Sequence, residues 1–169
     1  QGAFGVQRAV ATALKVPLAR VRSIGSYSGS GFGGRGGHNN VLAVALATKA
    51  RVPVKLVSSF VEDIAVGRRV SMRARLKTGV KRNGTLTARQ LEAWADGGAY
   101  ARRVPWITEM GMARFLGAYR PPHVKCDAYS VFTNTAASIT YRSPGATQLG
   151  WARESQFNII AKKLGLDPI

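Results

Sequence analysis

Residues 28–37 form a glycine-rich stretch whose composition suits contact with an anion. Six of these ten residues are glycine, and Phe32 is the aromatic one. Glycine adopts positive φ angles readily and lets a ligand come close to the backbone. Residues 19–24 before the stretch have the composition of a strand, and residues 41–50 after it are mostly apolar. The pattern predicts a strand, a loop and a helix that together present backbone N–H groups to an anion.

Arg142 lies in a second stretch, residues 140–148, that could bind the same kind of group. Pro144 and Gly145 follow it closely, and a helix is predicted from about Thr147. A guanidinium beside the free amides of a helix start can clamp an anion. The alternative is an ordinary capping loop with a solvated arginine. Considered alone, this segment favours that alternative.

Other chemistries fit the sequence less well. Residues 29–34 match G-x-G-x-x-G, but the helix starts late and Glu62 and Asp63 lie too far along the chain for a dinucleotide site. No Gly-Lys-Ser/Thr follows the glycines, and no serine stands in a G-x-S-x-G elbow. The two histidines and Cys126 are widely separated, so we predict neither a metal-ligand cluster nor a catalytic residue in this chain.

The net charge of +17 comes from 25 Lys and Arg against eight Asp and Glu. Such an excess predicts attraction to polyanions or to an acidic partner, unless the chain is a fragment that has lost its acidic neighbours. Arg73, Arg75 and Lys77 alternate along a predicted hairpin strand, but aromatic residues are not interleaved with them as nucleic-acid stacking requires. We therefore expect this face to be solvated or to meet a partner, and do not expect nucleic acid as the partner.

Apolar periodicity predicts an α+β fold, with a mixed sheet, a long hairpin and packed helices, over a single domain of residues 1–169. The hairpin turns at Asn83 and Gly84, with a bulge near Arg89 and Gln90. Residues 97–117 are expected to be loop-like with at most a helical turn, and the helix after residue 38 to be buried. Helices are predicted at 2–15, 39–51 and 147–164, a short helix is predicted to start at Ser59, and strands are predicted at 18–25, 53–58, 70–80, 85–95 and 123–133.

The 46% apolar content is typical of a globular protein, and no run approaches the length of a membrane helix. A single cysteine excludes an internal disulfide and weakly favours a reducing compartment.

Four blocks together resemble the large, molybdenum-cofactor-binding subunit of the xanthine dehydrogenase/aldehyde oxidase family of molybdenum hydroxylases. They run in family order through nearly the whole chain: Gln1 with the helix behind it, residues 31–35 (Gly-Phe-Gly-Gly-Arg), residues 62–69 with Gly79, and residues 141–168 with Glu154. Each block is weak alone, and the combination is specific.

The resemblance implies a molybdopterin cofactor that hydroxylates an aldehyde or an N-heterocycle with oxygen from water. It places the metal and its oxygen ligands near Gln1, Phe32 and Arg142, with Gly31 and Gly33 also contacting the cofactor. Iron–sulfur centres and FAD are implied on other domains or subunits, and the remaining segments of the molybdenum subunit as partners. The implied location is the cytoplasm, with the periplasm used by some relatives.

The departures from the family pattern fall at the implied substrate pocket. Gly36 replaces an acid, Met110 falls near an arginine, and Pro144 belongs to a pair that replaces glycine and an aromatic residue, so xanthine is not the expected small-molecule substrate. The family's general-base glutamate belongs to a later segment that this chain lacks. We therefore expect a partial cofactor-binding domain that is inactive alone, with a basic binding or assembly module as the alternative.

Overall fold

The computed structural model describes residues 2–27, 29–34 and 38–168. The chain divides into two compact units, residues 1–63 and residues 64–169, which are described separately below. The expectation of one domain over the whole chain stays a prediction.

The first unit is helical in its described residues. It contains α1 (Ala3–Leu14), a short 3₁₀ helix (Leu18–Arg20), α2 (His38–Ala50) and the start of α3 (Phe60–Val66). Gln7 on α1 donates from Nε2 to the carbonyl of Val21 at 2.7 Å and to that of Leu18 at 3.3 Å. The helix predictions are confirmed, and α1 holds the chain that follows it.

Two strand predictions in the first unit are wrong. Residues 18–25 form the 3₁₀ turn and irregular backbone, and residues 53–58 are irregular as well. An extended segment becomes a strand only when a neighbouring strand takes up its backbone groups. Here the side chain of Gln7 takes up two of those carbonyls instead.

The prediction that α2 is buried is also wrong. None of the described side chains of residues 39–50 is fully buried, and Leu42 is 50% exposed. A helix that is apolar all round requires cover on every side, and the described residues of the first unit do not supply it to α2.

The start of α3 has the predicted capping box. Ser59 donates its backbone N–H to Glu62 Oε2 at 2.7 Å, and Glu62 N–H donates to Ser59 Oγ at 3.3 Å. The hydrogen bonds from Ser59 lower the pKa of the Glu62 carboxyl. Reciprocal bonds of this kind satisfy amides that a helix start otherwise leaves free.

A three-stranded sheet forms the centre of the second unit. Its order is β2 (Met72–Val80), β3 (Leu86–Gly98) and β4 (His123–Phe132), with β3 antiparallel to β2 and parallel to β4. Two short parallel strands, β1 (Arg68–Arg69) and β5 (Ser138–Ile139), pair separately. The hairpin is confirmed, with Gly84 at a φ of 87° in its turn.

The predicted bulge at Arg89 and Gln90 is misplaced. The register shifts between Gly79 and Val80, which pair with Ala88 and Leu86, so Thr87 is the extra residue. Past this point the ladder is regular, and Arg89 takes a core-facing position in phase with the buried Leu91. Arg89, a charged residue at a buried position, interrupts the apolar alternation and therefore wrongly indicated a bulge.

The parallel crossover from β3 to β4 contains α4 (Val104–Ala113), where the sequence predicted little more than a turn. Pro105 lies in its first turn, where a missing N–H costs nothing. Val104 and Ile107 are fully buried against Val70 and Ala95. Tertiary burial thus stabilises a helix whose glycine and proline lower its intrinsic propensity.

The final helix, α5 (Ala146–Leu164), ends at Gly165 with a φ of 69°, close to the prediction. Leu149 packs with Leu91, Ala93 and Phe115 in a second buried cluster. Full burial of side chains of this size contributes about 2 kcal/mol each. Within the described part of the chain, no helix is both long and apolar enough to cross a bilayer.

Candidate functional site

The described part of the glycine loop, residues 29–34, turns through a run of left-handed backbone. Phe32 has a φ of 48°, Gly33 of 97° and Gly34 of 75°. The left-handed region costs a residue with a Cβ about 1–2 kcal/mol. Strain of this kind concentrates at ligand-binding loops. Phe32 is 55% exposed, and a Cβ built on Gly31 would meet no atom within 4 Å, so the loop backbone is open to a ligand.

Two predicted site residues, Gln1 and Gly36, lie outside the described residues. Their implied roles beside the metal and in the substrate pocket stay predictions.

The second predicted element, the Arg142 loop (residues 140–145), belongs to the second unit and carries an exposed guanidinium. The carbonyl of Arg142 accepts a hydrogen bond from Arg69 Nη2 at 3.4 Å. The guanidinium of Arg69 also stacks on the ring of Tyr141, with Cζ 5.0 Å from its centroid. Two arginines therefore contribute positive charge to one loop.

The end of this loop is fixed against α4. Gly145 has a φ of 73°, and a Cβ there would overlap the carbonyl oxygen of Ile107 and approach Gly111 N to 2.9 Å. Because Gly145 adjoins Gly111, the structure brings the predicted pocket residues Met110 and Pro144 into the same neighbourhood. Both are half-buried.

Two buried polar atoms flank Arg142 in sequence. Thr140 Oγ1 and Gln148 Oε1 have no hydrogen-bond partner among the described residues, while Gln148 Nε2 donates to the carbonyl of Val70 at 2.7 Å. A buried polar atom without a partner costs about 1–3 kcal/mol, so such atoms call for an explanation. A polar ligand at the loop would supply the missing partners.

An ion pair anchors the strands that carry these groups. Arg68 Nη2 lies 2.5 Å from Asp96 Oδ2, and Ser138 Oγ donates to the carbonyl of Asp96 at 2.6 Å. Hydrogen bonds from Thr133 and the Gly98 amide, together with Arg68, lower the pKa of the Asp96 carboxyl although burial opposes the shift. The network ties β1 and β5 to the end of β3, and so positions Arg69 and the Arg142 loop.

The donor set fits a phosphorylated pterin. Guanidinium groups and backbone amides suit the phosphate, and the polar atoms of Thr140 and Gln148 suit the edge of a heterocycle. Among the described residues, no three His, Cys, Asp or Glu side chains gather into a metal site.

Sequence reasoning quoted Arg69, Thr140 and Gln148 within larger stretches but assigned none of them a role. The signal available for Arg69 was its basic pair with Arg68 just before a strand. The parallel pairing of β1 with β5, which joins residues about 70 positions apart, leaves no local trace in the sequence.

The outward face of the sheet departs from expectation as well. Trp94 lies opposite Arg73 and stacks on Tyr129, with ring centroids 6.2 Å apart, and Arg75 lies over Trp94 at 5.8 Å. The expectation that aromatic residues are not interleaved with the basic side chains is therefore wrong, because the aromatic residues come from the neighbouring strands β3 and β4.

The family model described as "Molybdopterin cofactor-binding domain" matches residues 1–169. The chain belongs to this family. The molybdopterin cofactor-binding domain of the xanthine dehydrogenase/aldehyde oxidase family thus accounts for the α+β fold, and the resemblance seen in the sequence is confirmed.

The relatives include two bacterial proteins. The nicotinate dehydrogenase large molybdopterin subunit of Eubacterium barkeri is 38% identical over 95% of this chain, and a probable xanthine dehydrogenase subunit of Bacillus subtilis (strain 168) is 32% identical over 91%. The chain spans 38% and 21% of their respective lengths. The chain is therefore related to the molybdenum hydroxylase oxidoreductases and corresponds to a portion of their length.

Solved structures share the fold. Quinoline 2-oxidoreductase from Pseudomonas putida 86 superposes with a TM-score of 0.83 at 26% identity, covering 99% of this chain and 22% of that one. The aldehyde oxidoreductase from Desulfovibrio gigas gives a TM-score of 0.82 at 25% identity, covering 96% and 18%.

Proposed function

We propose that this chain is part of the large subunit of a molybdenum hydroxylase and binds molybdopterin, for the oxidative hydroxylation of an aldehyde or an N-heterocycle with water. The observation that carries the proposal is the Arg142 loop together with Arg69, which binds its backbone, and with the unpartnered polar atoms of Thr140 and Gln148. These groups belong to a chain of the molybdopterin-binding family.

The residues of this chain bind and orient. The bound cofactor supplies the oxidising metal centre and accepts the electrons of the reaction. Arg142 donates hydrogen bonds to anionic oxygen of the cofactor, and Arg69 holds the Arg142 backbone by donating to its carbonyl. Phe32 and Gly33 would line the cofactor through their left-handed backbone, and Gln1 would donate a hydrogen bond to it.

The reaction also requires groups beyond this chain. We assign no general base to its residues, so the base, the remaining cofactor contacts, the iron–sulfur centres and FAD come from other segments or subunits. Two of the relatives are named as subunits, which supports a multi-subunit assembly.

The test is the cofactor content of the full protein with Arg142→Ala. We expect the affinity of the variant for molybdenum and pterin to be at least tenfold lower, because a charge-assisted hydrogen bond contributes about 1.5–3 kcal/mol. Lys162→Ala, at the exposed end of α5, is the matched control and should retain both. Equal retention by the two variants contradicts the assignment of Arg142.

Partner binding is a second candidate, favoured by the Trp94 and Tyr129 stack on the basic face. Arg73→Glu with Lys77→Glu should weaken association with an acidic partner and leave cofactor content unchanged. Binding to generic DNA that falls steeply with salt, without any cofactor, would instead support the nucleic-acid alternative.

A further inference from the structure

A cleft of about 670 Å³ opens between the end of α4 and the first half of α5, within the second unit. This volume lies within the range of small-molecule sites. We call it the arginine cleft, because its lining includes Arg114, Arg120 and Arg153, together with Gly117, Tyr119 and Ala146.

Arg153 is a fixed member of the cleft. Its Nη1 donates to the carbonyls of Arg114 at 3.0 Å and Phe115 at 3.3 Å, and its Nε lies 2.6 Å from Glu154 Oε1. These bonds hold the guanidinium in place, so its orientation costs little entropy when a ligand binds. Arg120 differs, since its side chain is exposed and presents its charge at the rim.

A buried cation next to the cleft adds to its positive potential. Arg89 is only 2% exposed, and its guanidinium carbon lies 4.3 Å from the Phe115 ring centroid and 4.6 Å from that of Phe157. Its Nη1 has no partner among the described residues. Burial, and then the positive charge of Arg153, lower the pKa of Arg89, so the two cations destabilise each other.

Glu154 supplies a carboxylate that contacts Arg153. It accepts hydrogen bonds from Arg153 at 2.6 Å and from the Tyr119 hydroxyl at 2.9 Å. Burial would raise its pKa, but these bonds outweigh burial and hold the pKa of Glu154 below its usual value. Glu154 is therefore ionised at neutral pH and offsets one of the four arginine charges.

The cleft borders the predicted substrate pocket. Arg114 lies one helical turn after Met110 and donates from Nη1 to its carbonyl at 3.3 Å and to its sulfur at 3.1 Å. Ala146, in the lining, comes two residues after Pro144. An anionic group held in the cleft would thus extend from a molecule lying beside Met110 and Pro144.

We propose that the arginine cleft binds the carboxylate of the substrate, so that this protein hydroxylates aromatic aldehydes or N-heterocycles bearing a carboxylate. The assignment to a substrate rests on the proposed function. Arg114 and Arg120 contact the carboxylate, and Arg153 presents the cleft's preformed positive charge. They act as specificity residues and take no part in the oxidation.

The first test is binding, measured by calorimetry on the full protein with its partners. Benzoate should bind and benzamide should not, because the two differ in charge and little in shape. Arg114→Gln with Arg120→Gln should weaken benzoate binding at least tenfold, as expected for lost charge-assisted hydrogen bonds. The same measurement on Lys162→Gln with Lys163→Gln controls for a general loss of positive charge.

Three outcomes overturn the proposal. Benzoate that fails to bind, or that binds the arginine variant as well as the wild type, removes the carboxylate site. Inorganic phosphate that binds in an arginine-dependent way while benzoate does not reassigns the cleft to a phosphate-bearing ligand.

The second test is selectivity. For a carboxylated and an uncarboxylated aromatic aldehyde, the ratio of kcat/KM values should fall about tenfold in the arginine variant, mainly through KM for the carboxylated substrate. An unchanged ratio overturns the substrate assignment. If neither aldehyde is oxidised at all, the proposed function fails, and the benzoate measurement still decides whether the cleft binds carboxylates.

Discussion

The two units of the chain bury their apolar side chains to very different extents. In the second unit Leu91, Val104, Ile107 and Phe115 are all completely buried around the sheet. Among the described residues of the first unit, the buried apolar side chains are Val10 and Ala11, while α2 keeps Leu42 half exposed. The second unit therefore has a core of its own that can position a side chain such as Arg142.

The Arg142 loop and the glycine loop are held in their conformations in two different ways. The Arg142 loop is fixed by tertiary packing, because Gly145 lies against α4 and Arg69 binds the loop carbonyl. The glycine loop depends on its own backbone geometry, with a left-handed Phe32 followed by two left-handed glycines. Substitutions of the packed residues that fix the Arg142 loop should thus act through stability, and those in the glycine loop through ligand binding.

The largest expected effect is in the core of the second unit. Ile107→Ala should lower the free energy of unfolding by about 3–4 kcal/mol, because it leaves a cavity beneath the sheet. Leu42→Ala in α2 should cost less than about 1 kcal/mol, since that side chain is half exposed. Denaturant unfolding of the purified protein measures both, and equal losses would remove the contrast between the units.

Two glycine substitutions, one in the Arg142 loop and one in the glycine loop, test the same contrast. Gly145→Ala should cost about 2–3 kcal/mol, because it adds left-handed strain and forces the new methyl against α4. Gly31→Ala meets open space and should leave the free energy of unfolding within about 0.5 kcal/mol. Cofactor content should be measured for the same two variants. A loss of pterin in the Gly31 variant, at normal stability, would locate the ligand at the glycine loop.

Asp96→Asn should cost about 2 kcal/mol at neutral pH, by removing the ion pair with Arg68 and weakening the bond from Thr133. The folded-state pKa of Asp96 is lowered, so its contribution is complete above the unfolded pKa and is lost as the pH falls through the folded value. Below about pH 4 the stability of the wild type should therefore decrease more steeply than that of the variant. Parallel acid titrations of unfolding would contradict this account.

A small loss of stability is expected at the capping box of α3. Ser59→Ala should cost about 0.5–1 kcal/mol, since Glu62 then loses the hydroxyl bond and an amide of the helix start loses its acceptor. Ser59→Asp retains an acceptor for that amide and should recover part of the loss, although it places a second carboxylate beside Glu62. Thermal unfolding of the two variants gives the comparison.

Local patterns predicted the elements whose cause is local. The hairpin follows from alternation and an Asn83–Gly84 turn, the α3 start from the spacing of Ser59 and Glu62, and the end of α5 from Gly165. Each of these is decided by residues a few positions apart.

Tertiary causes account for the errors. Helix α4 forms because Val104 and Ile107 are buried, and Arg89 is tolerated in the core because Phe115 and Phe157 stack on its guanidinium. The Arg68–Asp96 pair and the arginine cleft join residues from distant segments. The cofactor assignment came from the combination of motifs, since neither loop alone favoured a molybdopterin site.

The most direct test of the central claim is the molybdenum and pterin content of the protein purified from its native host. The account predicts about one molybdenum and one pterin for each copy of this chain, together with copurifying segments or subunits that carry iron–sulfur centres. A protein purified with neither molybdenum nor pterin would contradict a role in molybdopterin binding.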